Sequence, residues 1–559
     1  MVVGDYASFV SLFDENLGMD LTKEIPVLPK AVEAMPQYLF PNRMVCGFGD
    51  THPSTLRTDI FRYMIQNART HGKSEEERKF TAMLKLFAPS SSLPVAERGK
   101  APVAITSFFA GKPLVLDEKV KAGQIDDYVT PTFYAPNVSW LVQRNGMNPR
   151  HSLMVSLNGS EGNHMHANGI SMELYGKGYV LGPDAGIGKT LYQGLDYLEY
   201  YSQFPSHNTV CVDGISSYPV MKSNHSFKLR ALYPAAGERL PYQPISYSEV
   251  YFREPETFAD QTRLNGIVNV GDSAGYYIDI FRSRKVEGGD KMHDYFYHNL
   301  GQQMTLTVAD GSELGLQPTQ ELAFAGAHLY AYSYIYNKKR AVTSKDVKAG
   351  FTIQMPDKDD ITMNLWMKGE EGREIFSALS PMTEGLSRIK NMPYSIKDQP
   401  TLTFVARQKG EAWNRPFVAV YEPSTVKEPS CIASVDYPQV KSEQQGSHVG
   451  IRVALTNGNV DWILSSDENA HHCKLEKLQA RAGYALCRQS EKGEALQAFL
   501  GNGTQLEADG VSIRTDVPAD VLLLKQDGKW MYTATAPCRV VVGKKKYTLS
   551  VSKELRLLK

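Results

Sequence analysis

The sequence predicts a multidomain α+β protein: N-terminal helices, then a large antiparallel β-sandwich, then a smaller C-terminal β region. Three observations predict it. Apolar residues recur at helical spacing up to about residue 95, with Phe9, Leu12 and Phe13 at i, i+3 and i+4. Beyond about residue 130 the pattern changes to short β-branched or aromatic runs bounded by Gly, Asn and Asp, among them HSLMVSLNG, GISMELYG, GYYIDIFRSRKV and QQMTLTVAD. After about residue 425 the strands shorten and charge rises. The expected divisions are 1–95, 96–425 and 426–559.

In chain order, DYASFVSLFDENL reads as an amphipathic helix and PKAVEAMPQYLF as a shorter, proline-interrupted one. The turn-rich FPNRMVCGFGDTHPS leads into STLRTDIFRYMIQNARTH, where Ser54 or Thr55 is expected to cap a third helix. SEEERKFTAMLKLFA begins with Ser74 and Glu77 in capping-box spacing. Two or three helix pairs are too few for a closed helical domain and read as the last pairs of something larger. The stretch from about 96 to 130, broken by Pro102 and Pro113, reads as an inter-domain crossing. In the sandwich, Gly176 to Gly178 supplies a hairpin turn, and TLYQGLDYLEYYSQF is a helical insertion.

Composition excludes several classes. The 61 Lys plus Arg balance 61 Asp plus Glu, which does not support a nucleic-acid binder. A hydrophobic content of 42% suits a packed globular chain. The six cysteines are scattered without a CxxC pair, so neither a zinc ribbon nor a disulfide scaffold is indicated. No apolar run is long enough to span a bilayer. The start, MVVGDYASF, lacks the basic region and apolar core of a signal peptide, so the expectation is a cytoplasmic protein or a chain that begins inside a longer precursor.

The densest chemistry lies in NGSEGNHMHANGISMELYGKGYVLGPD, residues 158–184, and in SHNTVCVDG just beyond it. On a strand, residues two apart share a face, so His164 and His166 are expected to point one way and Met165 the other. Asp184 ends the returning hairpin strand and His207 precedes the next one. Two histidines and a carboxylate make a sound zinc set, with His166, Asp184 and His207 as the candidates. Surface or internally satisfied histidines are the alternative.

The joint pattern H-x-H, G-P-D-A-G and S-H-N-T-V-x-V-D-G resembles the β-sandwich module of the heparinase II/III-like polysaccharide lyases. FGDTHP resembles a loop late in that family's helical toroid, and FRSRKVEGGDKMHDYFYHNLG resembles its later sandwich strands. The resemblance covers roughly residues 1 to 400. It implies an incomplete α/α toroid followed by antiparallel β-sheets, and β-elimination at a uronic acid of an acidic polysaccharide, a glycosaminoglycan ahead of alginate or ulvan. It implies His164 as the catalytic histidine and His166, Asp184 and His207 as ligands of a structural Zn2+. It further implies a catalytic tyrosine and a second carboxylate-neutralising residue on toroid helices. This chain starts when that toroid is almost finished, and Tyr6 in GDYASF is the tyrosine near the expected place. His52 and His298 are candidates for substrate binding, and the family implies a bacterial periplasm or cell envelope.

Two other classes compete: a cupin-type iron oxygenase built on the H-x-H pair and a carboxylate, and a non-catalytic polysaccharide-binding relic of a lyase. GPDAGIGKT is not a P-loop, because Pro183 stands where the first glycine is required. HHC at His471 to Cys473 reads as an exposed loop, and Lys544 to Lys546 as a solvated hairpin.

Overall fold

The N-terminal periodicity is realised as four α-helices: α1 (Val2–Leu17), α2 (Val27–Ala34), α3 (Asp59–Thr70) and α4 (Ser74–Phe87). The computed structural model describes residues 2–88, 114–188, 194–216, 222–323, 330–356, 358–383, 386 and 396–559. Two compact units emerge, residues 1–45 with 54–130, and residues 46–53 with 131–559. The chain thus leaves the first unit for eight residues, contributes them to the second, and returns. Pro102 and Pro113 of the expected crossing lie outside the described residues, and its residues 114–130 belong to the first unit, with Leu114, Leu116 and Tyr128 packed on the helical core. No helix among the described residues is long and apolar enough to cross a membrane.

In the first unit one core gathers Ala7 and Val10 of α1, Val32 of α2, Phe61 and Met64 of α3, and Phe80 and Leu84 of α4. The buried face of α1 is not the expected one, since Phe9 is largely exposed. The reason is a polar seam. Buried Asp14 accepts from Asn67 Nδ2 at 3.1 Å and lies 2.5 Å from His71 Nε2, and these contacts set the helix's rotation. Two capping expectations also shift. Helix α3 starts at Asp59 rather than beside Ser54, because Thr55 is taken up in a bridge to Met44. At α4 the N-cap is Lys73, and Glu77 pairs with Arg69 at 2.8 Å instead of closing a capping box.

The second unit is antiparallel β throughout its named sheets. Strands β1 (Thr132–Ala135), β2 (Trp140–Arg144), β3 (Met154–Asn158), β4 (Ser160–Asn163), β5 (Ser171–Gly176) and β6 (Tyr179–Gly182) come first. All but β4 form one sheet in the order β1-β2-β3-β5-β6, and β4 leaves it to pair with Lys222–His225. The expected hairpin joins β5 to β6, with Lys177 and Gly178 both at positive φ, as a tight two-residue turn requires. Strand β7 (Val210–Val212) is the edge of a six-stranded sheet and pairs with Met292–Asn299. An eight-stranded sheet faces it, built around Ile245–Glu254, Ala259–Asn269, Gly275–Lys285 and Ala412–Thr425. The two sheets interdigitate through aromatic rings, Tyr295 on Phe417 at 5.4 Å and Tyr297 on Tyr421 at 4.7 Å.

Between these sheets Arg263 is fully buried. It forks onto Asp279 at 2.9 and 2.7 Å and donates to the carbonyls of Ile170 at 2.7 Å and Asn208 at 2.6 Å. One guanidinium therefore ties the loop before β5 to the loop before β7. Burial pulls against its charge, but Asp279 outweighs burial and raises the guanidinium's pKa.

The C-terminal strands are not set apart as a third domain. Residues 432–557 form a further sheet, one face of which shares a core with the eight-stranded sheet: Tyr247, Ile278 and Val420 meet Ile451, Phe499 and Leu522. Its other face holds a core of its own, including Leu464, Leu500 and Val540.

Candidate functional site

The His-x-His pair does not sit on a strand. β4 ends at Asn163, and His164 to His166 form the loop that follows. His164 takes a left-handed backbone, φ 59°, which breaks the strand alternation and splays the two rings. His164 keeps 60% of its side chain exposed, whereas His166 keeps 1%.

Both rings nevertheless reach one carboxylate. Asp50, in the segment FGDTHP, receives His164 Nδ1 on Oδ2 at 2.9 Å and His166 Nε2 on Oδ1 at 3.0 Å. The Tyr197 hydroxyl donates to the same Oδ1 at 2.6 Å. Burial pushes the Asp50 carboxyl up, but the hydrogen bonds from His166 and Tyr197 and the His166 charge outweigh it, holding the group below the usual carboxylate range. An ionised carboxylate only accepts, so both imidazoles donate to it. In the neutral rings the lone pairs are then on His164 Nε2 and on His166 Nδ1.

Glycine makes this approach possible. Gly49 has φ 56°, and a Cβ there would lie 2.2 Å from the His164 carbonyl oxygen. Its absence lets Asp50 N donate to that carbonyl at 2.9 Å. Gly47 is equally confined, since a Cβ would stand 2.4 Å from the Cβ of Asp184. Glu173 on β5 knits the two segments, accepting from Gly47 N at 2.8 Å and Asp184 N at 3.3 Å. Burial, with Asp184 beside it, pushes the Glu173 carboxyl well up.

His166, Asp184 and His207 converge. One candidate ligand atom from each lies within 4.8 Å of the other two. Asp184 follows β6; its Oδ1 accepts from Gly186 N at 2.9 Å and its Oδ2 meets His207 Nδ1 at 3.1 Å. Burial raises the Asp184 carboxyl, but His207 and His166 outweigh it and lower it. Burial lowers the His207 ring, which favours the neutral imidazole a metal requires. The short helix Phe204–Ser206 delivers His207, and the chain then enters β7. The donor set and burial fit zinc.

The other expected residues separate. His52 lies in the Asp50 loop, half-buried. His298 is a correction: it is interior, with Nδ1 on Thr403 Oγ1 at 3.1 Å and Nε2 on the Pro205 carbonyl at 3.0 Å, and burial lowers its pKa to about 3. Both nitrogens are engaged inside the sandwich, so it supports the Phe204–His207 turn from below and presents nothing to a ligand. Tyr6 stands on α1 of the first unit with 51% of its surface exposed. In the described part of the expected helical insertion Tyr197–Tyr201 forms a single π-turn, and its residues 190–193 lie outside the described residues. Sequence reasoning missed Asp50 and Tyr197. The one available signal was GFGDTHP, with two glycines just ahead of a carboxylate.

Residues 10–92 match the family model described as the second domain of endo-acting ulvan lyase. Over 515 residues the chain is 26% identical to an endo-acting ulvan lyase of Formosa agariphila, covering 86% of this chain and 60% of that protein. A solved heparinase III gene product is similar at 12% identity with a TM-score of 0.44, over 77% of this chain and 51% of that one. Heparan sulfate lyase HepC from Pedobacter heparinus is similar at 12% identity with a TM-score of 0.40, over 78% and 52%. The chain thus spans 60% of the length of the curated relative, and about half of these two solved chains.

Proposed function

We propose that this chain is a polysaccharide lyase that cleaves a uronate-containing acidic polysaccharide by β-elimination. The observation that carries the reading is the Asp50 bridge, which holds an exposed imidazole with its Nε2 lone pair outward while anchoring a buried one. The matches to endo-acting ulvan lyase support the reaction class, and they support ulvan beside a glycosaminoglycan as the substrate.

In this reaction a base removes the proton at C5 of the uronate, the C5–H electrons form the C4=C5 double bond, and the C4–O bond breaks to the departing sugar, whose oxygen takes up a proton. His164 Nε2 is the base. Its Nδ1–H stays on Asp50, and that carboxylate stabilises the imidazolium that forms. The uronate carboxylate must be neutralised as charge moves toward it, and cationic or hydrogen-bond donors serve that purpose. The departing oxygen needs a second group. Tyr6 is the sequence-based candidate, and Tyr6→Phe tests it: the half-exposed phenol is expected to leave thermal stability unchanged while turnover falls at least tenfold, and unchanged turnover removes Tyr6 from the reaction.

His166, Asp184 and His207 would hold a structural zinc ion. Such an ion would supply no proton chemistry; it would pin the loop after β4, the end of β6 and the entry to β7 against one another. Asp50 would then be the outer partner that orients His166 by its far nitrogen, an arrangement common to metal-binding histidines. An iron oxygenase of cupin type would need both histidines of the H-x-H pair on the metal. Here His164 points away from the ligand cluster and is not among its members. The helical unit is read as the terminal part of an α/α toroid, and the substrate class favours a bacterial periplasm or cell envelope.

The test is a panel of ulvan, glycosaminoglycans, alginate and a neutral polysaccharide, followed by ultraviolet absorbance of the unsaturated product. Absorbance with an acidic member, lost in His164→Ala, is the expected result. No absorbance with any acidic member, from folded protein, overturns the lyase reading and leaves a binding module.

A further inference from the structure

Two histidines and an aspartate also converge in the C-terminal sheet, far along the chain from Asp50 and its partners. His448 opens the strand His448–Leu455 and is registered against Ser466, the last residue of Val460–Ser466. Asp467 is the next residue, and His471 comes just before the strand His472–Leu475. A hairpin end and the loop beyond it thus bring the three together, and one candidate ligand atom from each lies within 4.8 Å of the others. All three are half-buried.

The local chemistry is that of a ligand set. His448 Nε2 and His471 Nδ1 face each other at 3.2 Å, with the rings edge to face. One shared proton accounts for that pair. It does not account for the carboxylate that converges on the same point without a hydrogen bond to either ring. Asp467 is instead oriented from outside: Oδ1 accepts from Ser447 N at 3.0 Å and Oδ2 from Trp413 Nε1 at 2.8 Å. Each oxygen keeps a second lone pair, and outer donors of this kind are how ligating carboxylates are held. The space is also kept open by the backbone. A Cβ on Gly446 would stand 2.8 Å from Asp467 Oδ1 and 3.0 Å from His471 Nδ1.

The neighbours set the charge. Arg282 lies buried behind the cluster, donating to Ser447 and Ser465. Cys473 is not part of the set: it is fully buried in the apolar core on the far face, which corrects the reading of HHC as an exposed loop.

We propose that His448, Asp467 and His471 form a second transition-metal site, for a zinc-class dication, which staples the 467–471 loop to the start of the strand His448–Leu455. Imidazole ligands select against calcium and magnesium, and two imidazoles with one carboxylate suit zinc. Rotation of half-buried side chains brings their ligand atoms onto one ion with bonds of about 2.1 Å. The fourth position is left to water.

The site is tested on the full chain, stripped with chelator and titrated with Zn2+, by counting bound equivalents after gel filtration. His448→Gln/His471→Gln is expected to bind one equivalent fewer than the unmodified chain and to lose part of the zinc-induced rise in Tm. His166→Gln/His207→Gln should lose a different equivalent and keep this one. The readout is a difference, so it stands whether or not the first site binds zinc. Asp467→Asn, which removes the charge and can accept from only one of Ser447 N and Trp413 Nε1, should weaken the same equivalent at least tenfold, and it carries the test if the double variant fails to fold. Equal stoichiometry in the folded double variant and the unmodified chain, or unchanged affinity in Asp467→Asn, overturns the proposal.

Discussion

His164 and His166 donate to opposite oxygens of the Asp50 carboxylate, at 2.9 and 3.0 Å, yet one ring is 60% exposed and the other 1%. A single carboxylate thus couples a residue facing solvent to a residue inside the protein, and the two substitutions should separate cleanly. His164→Ala is expected to lower kcat by about 10² to 10⁴, the usual worth of a general base, with Tm unchanged within about 1 °C. His166→Ala should instead lower Tm and bound zinc, with activity falling as a consequence. Thermal scans and metal analysis on both proteins check this; matching losses of Tm would refute the division of roles.

Asp50→Asn keeps the shape and removes the charge. An amide presents a donor to one ring where the carboxylate presented acceptors to both. The His164 tautomer is then no longer enforced and the imidazolium is no longer stabilised, so kcat is expected to drop at least tenfold. Zinc affinity should fall about 10- to 100-fold through His166. Kinetics with competition against a chelating dye measures both, and loss of neither would show the bridge to be incidental.

Arg263→Met should be among the most destabilising single changes in the second unit. It strands Asp279 without its ion pair between two sheets and releases the carbonyls of Ile170 and Asn208. The expected cost is about 3 to 5 kcal/mol in denaturant unfolding at neutral pH. Adding Asp279→Leu should recover part of it, because the apolar pair leaves no buried charge. A loss in the double variant as large as in the single would argue against that account.

Asp520 makes stability depend on pH. Burial raises its carboxyl to about 6, against hydrogen bonds from Asn502 N and the Tyr247 hydroxyl. A folded value above the unfolded one means that folding favours the protonated acid. The contribution is fully present below the ordinary carboxyl value of 3.8 and is lost as pH rises through about 6. Asp520→Asn, whose amide oxygen still accepts both bonds, should therefore stabilise the protein at pH 8 by on the order of 2 to 3 kcal/mol and change little at pH 4. Equal changes in Tm at the two pH values would contradict this.

The helix-to-strand order and the convergence of His166, Asp184 and His207 were legible because residue type and spacing carry them: the three lie within three residues of strand ends, and turn glycines mark those ends. Asp50 was not legible as a partner of His164, because 114 residues separate them and only tertiary closure brings them together. The strand reading of His164 to His166 failed at a backbone angle, since positive φ in a non-glycine residue leaves no periodic trace. His298 misled for a different reason. A strand buried on both faces needs satisfied polar groups, and its histidine met that need internally. The packing of the C-terminal sheet on the eight-stranded one was not legible, because alternation gives the width of a sheet's apolar face and not its partner.

Residues 46–53 belong to the second unit although residues on both sides of them belong to the first. The polypeptide therefore crosses between the units three times, and Asp50 travels on the out-and-back excursion. A shuffling event or an engineer that cut the chain at residue 131 would carry off His164, His166, Asp184 and His207 but leave behind the carboxylate that His164 and His166 share. The helical part is consequently no interchangeable cassette: exchanging residues 1–130 as one block would also exchange the Asp50 segment on which the histidine pair rests.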